Sequence, residues 1–199
     1  MMKRTQQRTK ETRARLIATA RQLVAEHGYD GLRIEEVVAR AGVAKGTFFA
    51  HFTDKETLMD QLIGERIDQL LDDMEATKPP ENLPEWVECL LPRMAFMTSE
   101  RYVFDIIFRR SGAAAIEEIG PIAQTFDRYI HIVARWLAAG TYRKDVPVAI
   151  LADGVQAFET QTIALHFCAA HNQVALRGRM LAYLQAWLLP VECRRSGEG

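Results

Sequence analysis

The chain has 199 residues, 48% of them hydrophobic, with 25 Lys and Arg, 26 Asp and Glu and a formal net charge of −1. That length suits one helical unit or two small ones with a real core, no apolar run approaches the roughly 18–20 residues that cross a bilayer, and the basic N-terminus lacks the apolar stretch of a secretory signal. The three cysteines, Cys89, Cys168 and Cys193, are widely spaced with no CxxC pair, which argues for a reducing, cytoplasmic setting without a disulfide framework.

The small net charge hides an asymmetry. Residues 1–55 hold 11 Lys and Arg against 6 Asp and Glu, while residues 56–199 hold 14 against 20, so a head of +5 precedes a body of −6. A basic head on an acidic body is the electrostatic pattern of a nucleic-acid reader with a separate second domain.

Taken in order, residues 1–9 read as a disordered basic arm, with Lys3, Arg4, Arg8 and Lys10 able to lie along phosphates or in a minor groove. The first helix is expected from residue 9 or 12 to residue 27, where Leu16, Ile17, Ala20, Leu23 and Val24 form one apolar stripe and Gly28 ends it. Residues 33–41 read as a second helix, because Ile34, Val37, Val38 and Ala41 recur at intervals of three and four. Gly42 then stops it, since glycine accepts positive φ. A short third helix follows, anchored by Val43, Phe48 and Phe52. Its other side carries Lys45, Thr47, Phe49 and His51. Apolar anchors behind and a polar, cationic face in front describe a reading helix for a major groove about 12 Å wide. The helix start, with Lys45 beside it, suits a phosphate.

The run Gly42, Val43, Ala44, Lys45, Gly46, Thr47, Phe48, Phe49, Ala50, His51, Phe52, then Lys55, Glu56 and Leu58, resembles the tetracycline-repressor-like (TetR/AcrR-type) transcriptional regulators. Their reading region runs close to Gly-Val-Ser-Lys-Gly-Thr-Leu-Tyr-x-His-Phe-x-x-Lys-Glu-x-Leu. The resemblance covers roughly the first quarter of the chain. It implies an all-α fold of about nine helices, with a helix-turn-helix domain over residues 1–55 and a helical ligand-binding and dimerisation domain over residues 56–199. It also implies that Arg33, Ala44, Lys45, Gly46, Thr47, Phe49, His51 and Lys55 face double-stranded DNA. This chain departs from the family at Phe49, where a tyrosine hydroxyl usually touches phosphate, and at Ala44, where a serine or threonine usually caps the reading helix. Leu32 and Arg33 replace a threonine and a serine, which removes a capping box with Glu36 and leaves Arg33 as an alternative phosphate contact.

Thr53 and Glu56 read as a capping box for a fourth helix running to about residue 76, a plausible lever between the domains. A fifth helix is expected over residues 83–99, kinked or divided by Pro92, and a sixth over 101–110, ended at Gly112. A helical turn is expected at 113–119 and a seventh helix from Pro121 to residue 139. The eighth is expected from 145 or 146 to 170, and the ninth from 174 to 189, stopped by Pro190. Nothing reads as a strand.

The fifth to eighth helices are rich in aromatics and methionine, the lining of adaptable small-molecule cavities. By the resemblance, a mostly apolar or amphipathic effector binds there, with Met94, Met97, Phe104, Asp105, Phe108, Phe126, Tyr129, Trp136 and Phe158 as candidates, although each taken singly suits an ordinary core. Asp105 would favour a cation and Arg109 or Arg110 an anion, whereas Asp127, His131 and Arg135 suit a solvated ladder. The last two helices carry more apolar surface than one packing stripe needs. By the resemblance they form a homodimer interface, assigned to Val155, Phe158, Leu176, Met180, Tyr183, Leu184 and Trp187. A dimer also follows from the reading helix, since two copies on a two-fold axis read a palindromic operator.

No phosphate loop, HExxH or GxSxG is present, and His166, Cys168 and His171 do not share a helix face for a metal. The sequence therefore points to neither enzyme, cofactor nor metal site, and to no membrane. It favours a ligand-responsive DNA-binding repressor over a helix-turn-helix protein that works through protein partners without a small ligand.

Overall fold

The computed structural model describes residues 2–111 and 119–189. Its described residues are all-helical, in the order α1 (Met2–Gly31), α2 (Ile34–Ala41), α3 (Lys45–Phe49), α4 (Lys55–Ala76), α5 (Leu83–Met97), α6 (Arg101–Arg110), α7 (Pro121–Ala139), α8 (Val148–His166) and α9 (Leu176–Leu188). The chain divides into two compact units, residues 1–69 with 97–126 and residues 70–96 with 127–199. The first unit thus takes in more than residues 1–55.

In the first unit, α1 packs on α2 and α6, and α2 on α3. Leu16, Ala20 and Leu23 are completely buried, as the stripe requires. The segment expected as a disordered arm is helical instead, with α1 beginning at Met2. It holds no Gly or Pro, and Gln7 Nε2 donates to Glu11 Oε1 at 2.9 Å one turn on, so helix propensity carries the start of α1 outward. At Gly28 the backbone leaves the helix with φ 75° and ψ 173°. The Glu100 carboxylate closes this break, accepting the Tyr29 N–H at 3.0 Å and the Asp30 N–H at 3.1 Å. A Cβ at residue 28 would stand 2.9 Å from that carboxylate.

The expected capping box of α4 is replaced by another cap. Asp54 Oδ1 accepts the Thr57 N–H at 2.7 Å, while Glu56 pairs with Arg109 at 3.1 Å and Arg110 at 3.8 Å. Because α4 starts at Lys55, Asp54 rather than Thr53 stands at the capping position, and a carboxylate there also suits the helix dipole.

Asp60 of α4, only 5% exposed, caps the start of α7 by accepting the Ile122 N–H at 3.0 Å. Gly64 lets α4 approach this start, since a Cβ there would come within 2.6 Å of Pro121. Burial raises the Asp60 carboxyl above its ordinary range, against the opposing Ile122 N–H bond and the Arg110 charge. The folded-state pKa thus lies above the unfolded value of about 3.9, so ionisation of Asp60 costs the fold stability as pH rises through that window. Asp60→Asn keeps an acceptor and removes the charge. Its Tm relative to the parent chain is expected to rise between pH 4 and pH 7, and a difference independent of pH would contradict this account.

In the second unit, α5 runs as one helix through Pro92 and is not divided there. Trp86 meets Trp136 edge-on with ring centroids 5.3 Å apart, and Tyr142 at 5.6 Å. Two turns along α5, the Arg93 guanidinium lies 3.7 Å over the Tyr129 ring and forms a buried ion pair with Glu159 of α8. Near the end of α4, Arg128 bridges Asp72 and Glu75 at 2.7 Å each. The eighth helix starts at Val148 after Pro147 and ends at His166, four residues short of the expected end. The ninth is trimmed to Leu176–Leu188. Gly154 of α8 makes room for the Trp187 indole of α9, since a Cβ there would lie 2.3 Å from Trp187 Nε1, and that indole donates to the Leu151 carbonyl at 3.0 Å. The turn expected at 113–119 falls, but for Ile119, outside the described residues, as do Gly112, Pro190 and Cys193.

Candidate nucleic-acid interface

The turn between α2 and α3 is built by Gly42. Its left-handed φ of 63° and ψ of 41° lets its own N–H reach Ala39 O at 3.2 Å and the Val43 N–H reach Val38 O at 3.0 Å. That pair of bonds is a Schellman ending, which closes the orphan carbonyls of α2. Both helix starts lack a side-chain cap, at Arg33 and at Ala44. Glu36, freed from a capping box, pairs with Arg40 at 3.3 Å.

The short α3 is fixed by Phe48 and Phe52, 0% and 1% exposed, with ring centroids 5.5 Å apart. The Arg13 guanidinium lies 4.4 Å over the Phe52 ring. Ala44, Lys45, Gly46 and Phe49 are exposed, and Thr47 and His51 are half-buried. A Cβ at Gly46 would meet nothing within 4 Å, so this face is open. Lys45 Nζ donates to Glu35 Oε1 of α2 at 2.6 Å, and that bond holds the Glu35 carboxyl below its ordinary range.

Arg33 and Lys55, 22 residues apart in sequence, converge on one atom. Arg33 Nη1 and Lys55 Nζ each donate to the Asp30 carbonyl at 3.2 Å. Lys55 also lies 4.7 Å over the Tyr102 ring. Partial burial, then the like charge of Arg33, hold the Lys55 ammonium below its ordinary range. Two cations share this one carbonyl, with the Asp30 carboxylate as an opposing charge on Lys55, and their remaining donors can meet an anion. Sequence reasoning missed Glu35, Asp30, Glu100 and Tyr102, whose spacings follow no helical period.

Glu35→Gln is expected to tighten DNA binding a few-fold at low salt, because Lys45 no longer has to leave a carboxylate and one repulsive charge is gone. Fluorescence anisotropy checks this, and unchanged or weaker binding would mean that the Lys45–Glu35 bond does not compete with DNA.

The residues proposed for an effector are spread over both units. Met94, Met97, Tyr129 and Trp136 are buried, Phe104, Asp105, Phe126 and Phe158 are half-buried, and Phe108 is 36% exposed. Phe104 and Phe108 touch each other at 4.5 Å between centroids, and Asp105 pairs with Arg101 at 3.0 Å. Of the residues expected at a dimer interface, Val155, Met180 and Leu184 are already fully buried within the chain, whereas Phe158, Leu176, Tyr183 and Trp187 are half-buried, with Phe158 stacked on Tyr183 at 4.9 Å. His131 keeps to its own helix, its Nδ1 2.8 Å from Asp127 O. Among the described residues no group of three or more His, Cys, Asp and Glu is placed to hold a metal, and no helix is long and apolar enough to cross a membrane.

Residues 16–62 match the family model described as bacterial regulatory proteins, tetR family. The HTH-type transcriptional repressor BepR of Brucella suis biovar 1 (strain 1330) is 29% identical over 133 residues, 64% of this chain and 61% of that protein. The fatty acid metabolism regulator protein of Bacillus subtilis (strain 168) is 33% identical over 60 residues, 30% of this chain and 31% of that one. The chain thus spans from about a third to three fifths of these curated relatives. The solved structure of FadR from Bacillus subtilis in complex with stearoyl-CoA superposes with a TM-score of 0.60 at 17% identity, covering 88% of this chain and 97% of that one. A putative transcriptional regulator from Saccharomonospora viridis in complex with choline superposes with a TM-score of 0.60 at 20% identity, covering 91% and 99%. The family match falls on the segment whose Schellman turn, buried Phe48 and open Lys45–Thr47 face are described above, so residues 16–62 form a TetR-like helix-turn-helix segment.

Proposed function

We propose that the chain works as a homodimeric repressor that reads a palindromic operator and is released by a small, mostly apolar effector. One observation carries the reading. A five-residue helix is clamped from behind by Phe48 and Phe52 while Lys45, Gly46 and Phe49 face outward, and Arg33 and Lys55 gather at one carbonyl beside it. DNA reading is assigned to residues 1–55, with Lys45 and Thr47 at base edges or phosphate and the Arg33–Lys55 pair at a phosphate. Effector binding and dimerisation are assigned to residues 56–199. The dimer face draws on the half-buried Phe158, Leu176, Tyr183 and Trp187 together with Ile150, which is 50% exposed. The repressor role has support from the named relative BepR. Small-ligand control has support from the neighbours bound to stearoyl-CoA and to choline.

The helix α4 contributes to both compact units, which makes it the element through which an effector shifts the protein between DNA-competent and DNA-incompetent populations. Such a shift can be no larger than the effector's differential affinity for the two states.

The test is fluorescence anisotropy with DNA from immediately upstream of the coding region, against a shuffled duplex and across salt. Selective binding is expected, weakening as salt rises and lost in the Lys45→Ala, Thr47→Ala variant. Arg33→Ala is expected to weaken binding uniformly and lower the salt slope by about 1. Equal, weak binding to both duplexes would overturn sequence-specific reading near the gene. Sedimentation as a monomer at micromolar concentration would overturn the dimer.

A further inference from the structure

Glu100 stands at the capping position of α6, yet its side chain makes no cap bond to that helix. Only its backbone serves α6, the carbonyl accepting the Phe104 N–H at 3.2 Å. The carboxylate serves a segment 71 and 70 residues earlier, where Oε1 accepts the Tyr29 N–H at 3.0 Å and Oε2 the Asp30 N–H at 3.1 Å. Those two peptide groups follow directly on the left-handed Gly28.

A peptide unit is planar, so holding two in succession leaves the next only the two dihedrals of Asp30 to turn on. That next unit carries the Asp30 carbonyl, the atom on which Arg33 Nη1 and Lys55 Nζ meet at 3.2 Å each. The start of α6 reaches Lys55 as well. Tyr102, two residues beyond Glu100, has its ring centroid 4.7 Å from the Lys55 ammonium. Carboxylate, carbonyl and both cations lie in the one compact unit of residues 1–69 and 97–126.

By its charge alone, an acidic side chain in this unit opposes DNA. We propose that Glu100 is instead a positioning residue for DNA binding. It fixes the Asp30 carbonyl, and that carbonyl holds the Arg33 guanidinium and the Lys55 ammonium side by side where one DNA phosphate takes both. The inference rests on the assignment of that pair to a phosphate, made above. It adds that the grip of two cations on DNA depends on a carboxylate that itself touches none.

The test is fluorescence anisotropy across salt with both the upstream and the shuffled duplex, since a phosphate contact needs no particular sequence. Were Glu100 only a negative charge, Glu100→Ala would tighten binding. For a positioning residue, Glu100→Ala is expected to weaken binding to both duplexes about five- to tenfold and to lower the salt slope by about 1 to 2. Glu100→Gln keeps one acceptor for the two N–H groups, and its affinity is expected to fall between the parent chain and Glu100→Ala. Arg33→Ala is expected to weaken binding less in the Glu100→Ala background than in the parent, because both act through one contact. Loss of fold alone lowers the binding-competent fraction, which leaves the salt slope unchanged and adds in full to the effect of Arg33→Ala. That pattern overturns the proposal, as does unchanged or tighter binding by Glu100→Ala. Weakening by Arg33→Ala with none by Glu100→Ala leaves the phosphate assignment standing and overturns only the positioning role. If Arg33→Ala and Lys55→Ala both bind as the parent does, the phosphate assignment falls and this inference falls with it.

Discussion

Phe48→Ala is expected to destabilise the first unit by about 3–5 kcal/mol and to abolish operator binding. A helix of five residues cannot hold itself, since isolated helices shorter than about 12–15 residues are marginal in water. The position of α3 therefore depends on burying an aromatic side chain that is 0% exposed and packed against Phe52. Its neighbour Phe49 is 46% exposed. Phe49→Ala is expected to change stability by less than about 0.5 kcal/mol, so any loss of DNA binding in that variant reports on the interface. Urea denaturation followed by circular dichroism measures the cost. Tryptophan fluorescence supplies an internal control, because Trp86, Trp136 and Trp187 all lie in the second unit. A Phe48→Ala loss below 1 kcal/mol would mean that α3 is held by something other than this side chain.

Breaking the buried pair in the second unit is the other large effect. Arg93 and Glu159 are 2% and 1% exposed, and Tyr129 beneath the guanidinium is fully buried, its phenol held well above the ordinary range first by burial and then by the Glu159 charge. Glu159→Leu leaves a cation without its counter-charge in a low-dielectric core and is expected to cost about 3–5 kcal/mol. Arg93→Met combined with Glu159→Leu removes both charges and keeps the volume, so most of that loss is expected to return. Tryptophan fluorescence reads this directly, since the probes sit in the same unit. If the double variant is as unstable as the two single losses added together, the pair is not what Glu159→Leu breaks. Recovery with unaltered operator binding would show that the pair serves the fold, whereas recovery with impaired effector response would place it in regulation.

The sequence by itself determined the helical class and the helix-turn-helix. Apolar residues three and four apart must share a face, a glycine at Gly42 permits the one backbone conformation that closes α2 and opens α3, and aromatics at Phe48 and Phe52 must be buried on the side away from Lys45. These are local rules, and the reading of residues 33–52 required nothing from the rest of the chain. The caps show where local rules lose force. Thr53–Glu56 fits a capping box as a pattern, but one residue of register gives the role to Asp54, and Glu56 is drawn away by Arg109 and Arg110 of α6. The N-terminal segment is helical from Met2 where a disordered arm is expected, because most of its residues are good helix formers.

Only the tertiary structure decided the contacts between distant segments. It joined Glu100 to the break after Gly28, Asp60 to the start of α7, and Arg33 to Lys55 at the Asp30 carbonyl. It also buried Val155, Met180 and Leu184 within the chain's own α8–α9 contact, and paired Arg93 with Glu159 across 66 residues. The physical reason is that hydrophobic period fixes which side of a helix is buried but not what it meets. A charge finds its partner through packing, at separations that no periodicity in the chain records.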